Sequence, residues 1–401
     1  MRRAGRQFPL SRPMGLYSDI MGDVDWHKCR FLESTENLKS LVKKRFGREP
    51  STSIAQEIAA CLQQGRLFYE AAVSSPLEIR PLQLFYGMVG FSKALVLARC
   101  ARSLSTQRPA HGVKDISAGN SRIADLRLRI ESAGTFQEFN DVVAELTRVC
   151  YYDRSTRRRA VSLPSAKSDQ LCGIELSIRD ILSRIPGLES LYRMTFAEDA
   201  RTSAIGLNTN YVDDDRFYIQ IEDPELFSDR ESLKKMVNRW RARFPLLETW
   251  RLGSARHSYG HSLLFFLNTR HSDIDEFSET CLVDEDGAFN APEPSAQDVP
   301  FPLAEGFHPV GGFTGGIYAI SPVAGAYLSE FSFHYLALFL LSSLVRYRPQ
   351  IWMQAISRSV TSDTPADDRA LSLIERFLDL NVSEIPKMVV TVLNPYEDLY
   401  Q

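Results

Sequence analysis

Ile79-Arg-Pro-Leu-Gln-Leu-Phe-Tyr-Gly-Met-Val-Gly-Phe-Ser-Lys-Ala-Leu-Val-Leu-Ala-Arg99, followed by Arg108-Pro-Ala-His111-Gly112, is the stretch on which the fold turns. Wound at 3.6 residues per turn, the first segment shows apolar side chains on every side, and a helix apolar all round is buried. Gly87, Ala94, Ala98 and Ala101 follow one another at spacings of seven, four and three. That stripe of small residues lets a second helix approach closely, while Leu84, Phe85, Phe91, Leu95 and Leu97 fill the other sides. A short polar break and a His-Gly turn follow. The segment reads as the central helix of a bundle.

Partners for this helix lie on both sides of it. A helix is expected over 33–46, ending at Gly47 before Pro50. Ser51 or Ser53 then caps a long helix to about Val73, with Ile54, Ile58, Cys61, Leu62, Gly65, Phe68 and Ala72 on one buried face. Pro76 separates it from the central helix. Two amphipathic helices are expected at 121–131 and 135–150. Far along the chain, 325–347 forms a strongly apolar helix stopped before Pro349. Helices over Trp352 to Ser359, 365–380 and 383–393 follow it, with Pro365 at a first helical position and Asp367 and Asp368 behind it. Residues 1–30, with Pro9, Pro13 and Trp26, read as an irregular strap.

Between these ends the pattern changes, near residue 151. Ala160–Leu163, Tyr192–Phe196 and Arg216–Ile221 are β-rich or alternating. Leu247–Leu252 and Ser262–Asn268 read as a hairpin with Gly260 in the connection. A helix at 229–243 interrupts them, and a long loop over 284–316 leads to a short strand at Ile317–Ile320. The fold class is α+β, predominantly α. The expected organisation is an N-terminal helical region over 1–150 and a mixed α/β insertion or second lobe over 151–321. C-terminal helices over 322–401 would pack back on the first bundle. Separate N- and C-terminal helical domains are the alternative.

The 401 residues suffice for two or three cores. A hydrophobic content of 44% with 24% charged residues is ordinary for a globular chain. The net charge of −3 gives no global attraction to nucleic acid or anionic membrane, though local basic faces remain open. Cys29, Cys61, Cys100, Cys150, Cys172 and Cys281 are scattered with no C-x-x-C pair, and read as reduced core residues. Arg2, Arg3 and Arg6 are followed by no apolar run of a secretory signal. Apolar runs such as Tyr335–Leu341 are well short of the ~20 residues that span a bilayer. A cytoplasmic, soluble chain with no membrane partner is expected.

Three segments carry a family resemblance. Gln64-Gly-Arg-Leu-Phe-Tyr-Glu-Ala-Ala72 is the first, and Arg80-Pro-Leu-Gln-Leu-Phe-Tyr-Gly-Met88 with Lys93-Ala-Leu95 and His111-Gly112 the second. Leu338-Phe-Leu-Leu-Ser-Ser-Leu-Val-Arg-Tyr-Arg-Pro349 with Trp352 is the third. Together they resemble the YaaC-like family of bacterial proteins, over 55–112 and 333–352. The order Phe85-Tyr86-Gly87, Lys93-Ala94-Leu95, His111 more distantly resembles HEPN domains, the helical bundles of prokaryotic toxin and defence systems. HEPN ribonucleases use an Arg and a His four to six residues apart, paired across a dimer. Here Arg108 stands three before His111 and Arg102 nine before it. The strict Arg-x4-His, Arg256 to His261, falls in the expected hairpin. The resemblance implies a HEPN-like bundle more than HEPN chemistry.

Several groups could carry chemistry. Arg102, Arg108 and His111 leave the central helix together, where a cation could stabilise a phosphorane while His moves a proton. The other reading is a helix-end turn, with Gly112 supplying positive φ. Arg256, His257 and His261 form the densest His/Arg group. They lack a third metal ligand nearby, so no metal is assigned. Lys93 stands in the apolar helix with Tyr86 one face away, and the two could line a groove. Arg346 and Arg348 flank Tyr347 at a helix end and could clamp a carboxylate or phosphate, or pair internally with acids such as Glu375. Arg154, Arg157, Arg158 and Arg159 are the most basic stretch and the place where RNA backbone would bind. Gly311–Gly316 lacks the ending of a P-loop, Asp213-Asp214-Asp215 reads as an acidic turn, and no cofactor is expected.

Three functions stay open. The first is an interaction or regulatory component of a defence or stress system, of antiphage or toxin–antitoxin type. It would have a protein partner or form a homo-oligomer. The second is a metal-independent, HEPN-like ribonuclease, which makes RNA a possible partner. The third is a small-molecule or nucleotide binder.

Overall fold

The computed structural model describes residues 26–144, 149–153, 158–162, 168–209, 217–225, 227, 229–244, 247–248, 250–258, 260–270, 277, 289–290, 309–311, 317–356 and 368–396. Trp26–Leu32 (α1) and Thr35–Phe46 (α2) open them. α1 lies where the sequence suggested an irregular strap. α2 stops at Gly47, whose φ of +69° is the left-handed conformation that glycine adopts without strain. The Ser51 hydroxyl accepts the Ile54 N–H at 3.3 Å and starts α3 (Thr52–Ser74). Pro81 sits in the first turn of α4 (Arg80–Cys100), where its missing N–H costs nothing.

α3 and α4 pack closely along their length because glycines stand where they meet. A Cβ on Gly90 would fall 3.0 Å from the Gly65 nitrogen and 3.1 Å from the Cys61 carbonyl oxygen. One on Gly87 would fall 2.5 Å from the Tyr69 ring. Gly87 of the small-residue stripe therefore faces α3, and so does Gly90, which lies outside that stripe. Among the described residues, α4 is the one helix long and apolar enough to cross a membrane, and 72% of that window is buried inside the protein.

β1 (Val113–Asp115) and β2 (Arg127–Ile130) follow, then α5 (Thr135–Val143). The expected helix over 121–131 is therefore a strand preceded by a short 3₁₀ turn. Leu128 and Ile130 are buried while Arg127 and Arg129 are exposed, a period of two that a helical reading blurs. β3 (Val149–Asp153) and β4 (Arg158–Ser162) form a two-stranded ladder, so the helix expected over 135–150 ends early. β5 (Glu175–Ser177) closes a three-stranded sheet in the order β1-β2-β5. α6 (Ile178–Leu182) and α7 (Glu189–Phe196) come next. α7 corrects the β-rich reading of Tyr192–Phe196, and Tyr192 is its buried side chain.

β6 (Thr202–Thr209), β7 (Phe217–Asp223), α8 (Arg230–Arg243), β8 (Trp250–Ser258), β9 (His261–Arg270), β10 (Phe289–Asn290), β11 (Pro309–Gly311) and β12 (Ile317–Ile320) build a seven-stranded antiparallel sheet. Its order is β10-β8-β9-β7-β6-β12-β11. Leu233, Val237 and Trp240 of α8 share one core with Ile219, Ile221, Leu252, Leu264 and Phe266 of the sheet. α9 (Glu330–Tyr347), α10 (Pro349–Ile356) and α11 (Leu371–Leu393) complete the chain. α11 runs unbroken through 380–383 and holds Pro386 within it, where two helices were expected. The proposed start at Thr364 and Pro365 lies outside the described residues.

Two compact units result. One holds the seven-stranded sheet, α8 and the β3–β4 ladder, from 147–164 and 201–321. The other is the helical bundle, from 16–146, 165–200 and 322–401. In the bundle α4 is packed by α3, α5, α9 and α11, so its apolar surface is covered from both ends of the sequence. Phe85 meets Tyr335 and Phe339 edge-on, at centroid distances of 5.7 and 5.9 Å. Cys29 and Cys61 are buried as expected, whereas Cys100 and Cys172 are exposed rather than in the core.

Candidate functional site

The His111–Gly112 turn is built by the end of α4 and held by its neighbours. α4 stops at Ala101 in the left-handed region, and a 3₁₀ turn at Leu104–Thr106 follows before the chain reaches His111. Gly112 has φ +80°, and a Cβ there would fall 1.9 Å from Gln137 Oε1, so the site requires glycine on both counts. The His111 carbonyl accepts the Phe136 N–H at 3.0 Å and the Tyr335 hydroxyl at 3.2 Å. The Gly112 carbonyl accepts Gln137 Nε2 at 2.8 Å. α5 and α9 thus fix the backbone beneath the imidazole.

The imidazole is half-buried between two rings of the bundle. Its centroid is 5.2 Å from that of Phe85 and 6.0 Å from that of Phe339. Burial, and then the positive charges of Arg346 and Lys93, lower its pKa below the usual histidine value. The ring is thereby kept neutral near pH 7, with one nitrogen a donor and the other an acceptor.

The last turn of α9 supplies the charge. Arg346 donates Nε–H to the Ser342 carbonyl at 3.2 Å. Its guanidinium lies 5.7 Å from the Phe85 ring centroid and 5.0 Å from that of Tyr347. It has no carboxylate partner among the described residues. Arg348 is different. It is buried, donates to Asp115 Oδ2, and donates to the Ala118 carbonyl at 3.2 Å. Asp115 also accepts the Ser343 hydroxyl at 2.7 Å and the Ser117 N–H at 2.9 Å. Its charge is therefore consumed internally. An open cleft of about 430 Å³ lies over these groups, lined by His111, Lys114, Asp115, Phe339, Arg346, Tyr347 and Arg348 among others.

A family model described as YaaC-like Protein matches residues 30–393. The chain belongs to the YaaC-like protein family. The matched span runs from α1 to the end of α11 and includes every residue of the cleft. No curated protein and no solved structure matches the chain.

In this YaaC-like protein the expected groups separate and recombine. Arg102 is ion-paired with Glu138 at 2.5 Å. Arg108 is exposed and is not among the cations whose field reaches His111. The cations that act on His111 are Arg346, from the far end of the chain, and Lys93. Lys93 is half-buried on α4, and its charge acts on both His111 and Cys61. Tyr86 is exposed and packs on Phe68 and Phe85 at 5.8 and 6.2 Å. Arg348 pairs with Asp115 rather than Glu375.

Arg256 and His261 stand on adjacent strands, with Arg256 opposite Leu263 and Ser258 opposite His261. Both are exposed, and His261 Nδ1 lies 2.9 Å from Glu222 Oε1. The helical i, i+4 geometry that His257 and His261 would need for a shared metal is absent, because a turn at Gly260 separates their strands. Arg158 and Arg159 lie on β4, opposite Asp153 and Tyr152. Arg154 and Arg157, Asp213-Asp214-Asp215 and residues 312–316 lie outside the described residues.

Lys114, Asp115, Phe339 and Ser343 were not singled out from sequence. A signal existed for the α9 residues: Phe339, Ser343 and Tyr347 recur every fourth residue and so share one face with Arg346. Lys114 and Asp115 gave none, since the three-residue β1 is too short for alternation to register.

Proposed function

We propose that this YaaC-like protein is a regulatory binding component that takes a phosphate-bearing ligand in the His111–Arg346 cleft. The observation that carries this reading is Arg346. Its guanidinium faces the cleft beside a half-buried neutral imidazole, held on two rings and free of any carboxylate among the described residues. A fixed planar guanidinium suits the oxygens of a phosphate, and a neutral imidazole adds a hydrogen-bond donor. Exposed Lys114 adds a second cation at the rim. The Asp115–Arg348–Ser343 network beneath is internally satisfied, and so it supplies a rigid floor rather than a competing charge. A defence or stress setting, with a protein partner or self-association to relay occupancy, rests on the resemblance to HEPN bundles.

Titration calorimetry with ribose 5-phosphate tests the reading. Wild type should bind, and Arg346→Ala should weaken binding by roughly tenfold or more. Equal affinity in the two proteins would refute it.

A second reading is favoured by the same pair. A neutral His beside an Arg is the equipment of a metal-independent ribonuclease, with His111 as general base and Arg346 stabilising the phosphorane. The pair would act in one chain, whereas HEPN ribonucleases pair theirs across a dimer. Cleavage of single-stranded RNA that falls at least ~10²-fold in His111→Ala would establish it. Cleavage unaffected by that change would exclude it.

A further inference from the structure

Tyr347 is the least explained residue of the cleft. Its ring is 71% exposed at the end of the most thoroughly buried helix of the bundle. It fills no core position, and among the described residues its ring contact is the Arg346 guanidinium at 5.0 Å. An aromatic ring left in water beside a cationic cleft has a specific chemical use. Every nucleobase has a π-face, and base–aromatic stacking beside a phosphate-binding cation is the shared device of nucleotide recognition.

Resting on the phosphate-binding reading, we infer that the ligand is a nucleoside 5′-phosphate unit. Its phosphate lies between Arg346 and Lys114, and its base stacks on Tyr347. Size and charge agree with this. The cleft of about 430 Å³ falls in the range of small-ligand sites, enough for one nucleotide and too small for a duplex. A phosphomonoester carries close to two negative charges at pH 7, which the guanidinium and the ammonium would balance. Among the described residues, Asp115 is the one carboxylate on the cleft lining, and its pairing with Arg348 removes the repulsion it would otherwise exert. Phe339 adds an aromatic ring to the cleft lining beside His111. The same unit occurs as a free mononucleotide and at the 5′ end of an RNA, and the chemistry of the site reads both alike.

Calorimetry with the full chain separates the possibilities. AMP should bind about tenfold more tightly than ribose 5-phosphate, the share expected of a stacked base. Tyr347→Ala should bring that ratio to about one, and Tyr347→Trp should restore it. Because Tyr347 is exposed, neither change threatens the fold. An AMP to ribose 5-phosphate ratio of one in wild type would overturn the nucleotide inference while leaving phosphate binding intact. Failure of both compounds to bind would overturn the two together. A 5′-phosphorylated oligoribonucleotide that binds more tightly than AMP, with the same dependence on Tyr347, would assign the source to an RNA end. Equal or weaker binding would assign it to the free nucleotide.

Discussion

Tyr69 on α3 donates its phenolic O–H to Asn381 Oδ1 on α11 at 2.6 Å, joining the first long helix of the bundle to the last. The Asn381 amide in turn lies 3.1 Å from His334 Nδ1 on α9. All three side chains are buried. Burial alone pushes the His334 pKa down to about 3, so the imidazole is neutral and its Nδ1 can accept the Asn381 N–H. The network specifies one alignment of α3, α9 and α11, because any shift would leave a buried polar atom without a partner.

Tyr69→Phe removes the hydroxyl and orphans Asn381 Oδ1. The expected loss is roughly 1–3 kcal/mol. Urea unfolding followed by circular dichroism reads it, and an unchanged midpoint would show that the bond contributes nothing net.

Gly90→Ala should cost about as much for a different reason. The new methyl would meet backbone atoms of Gly65 and Cys61 at 3.0–3.1 Å, and backbone yields less readily than a side-chain tip. Overpacking of this kind costs roughly 1–3 kcal/mol. Ala94→Leu, also at a fully buried position, should behave similarly. An unaltered melting temperature in Gly90→Ala would mean that α3 and α4 can part to admit a methyl, and in Ala94→Leu that the packing around α4 has room for a larger side chain.

Glu330, buried at the first turn of α9, is pushed up to about 8 by burial and by the charges of Glu384 and Glu189. The folded protein therefore holds it as the neutral acid at neutral pH. Its contribution is intact below the unfolded value of 4.5 and is lost as pH rises from there through about 8. Glu330→Gln, permanently neutral, should melt with wild type near pH 4.5 and at least about 3 °C above it at pH 8.5. A constant difference across that range would show that Glu330 does not titrate in it.

The bundle was legible where periodicity was long. α3, α4 and α9 each carry a sustained helical face, and α8 and the β8–β9 hairpin are bounded by clear turn signals. Short elements were not. β2 and α7 span only 4 and 8 residues, where helical and alternating patterns overlap, and the break expected between 380 and 383 is absent because α11 is buried through it. His111, Arg346 and Arg348 stood out as residue types, but their grouping did not. His111 and Arg346 meet only because α4 and α9 cross at Phe85, and no local spacing encodes a contact between residues so far apart in sequence.

The imidazole of His111 is the most direct probe of the central claim, since it lines the cleft and its pKa is lowered by burial and by the charges of Arg346 and Lys93. Its ring signals should be followed by NMR while ribose 5-phosphate is added. A bound dianion beside the ring would offset the field of Arg346 and Lys93. The His111 signals should shift saturably, its pKa should rise toward the ordinary histidine value, and Arg346→Ala should move both effects to roughly tenfold higher ligand concentration or beyond. Binding that leaves His111 unperturbed, or a response with an unchanged midpoint after loss of Arg346, would contradict the reading.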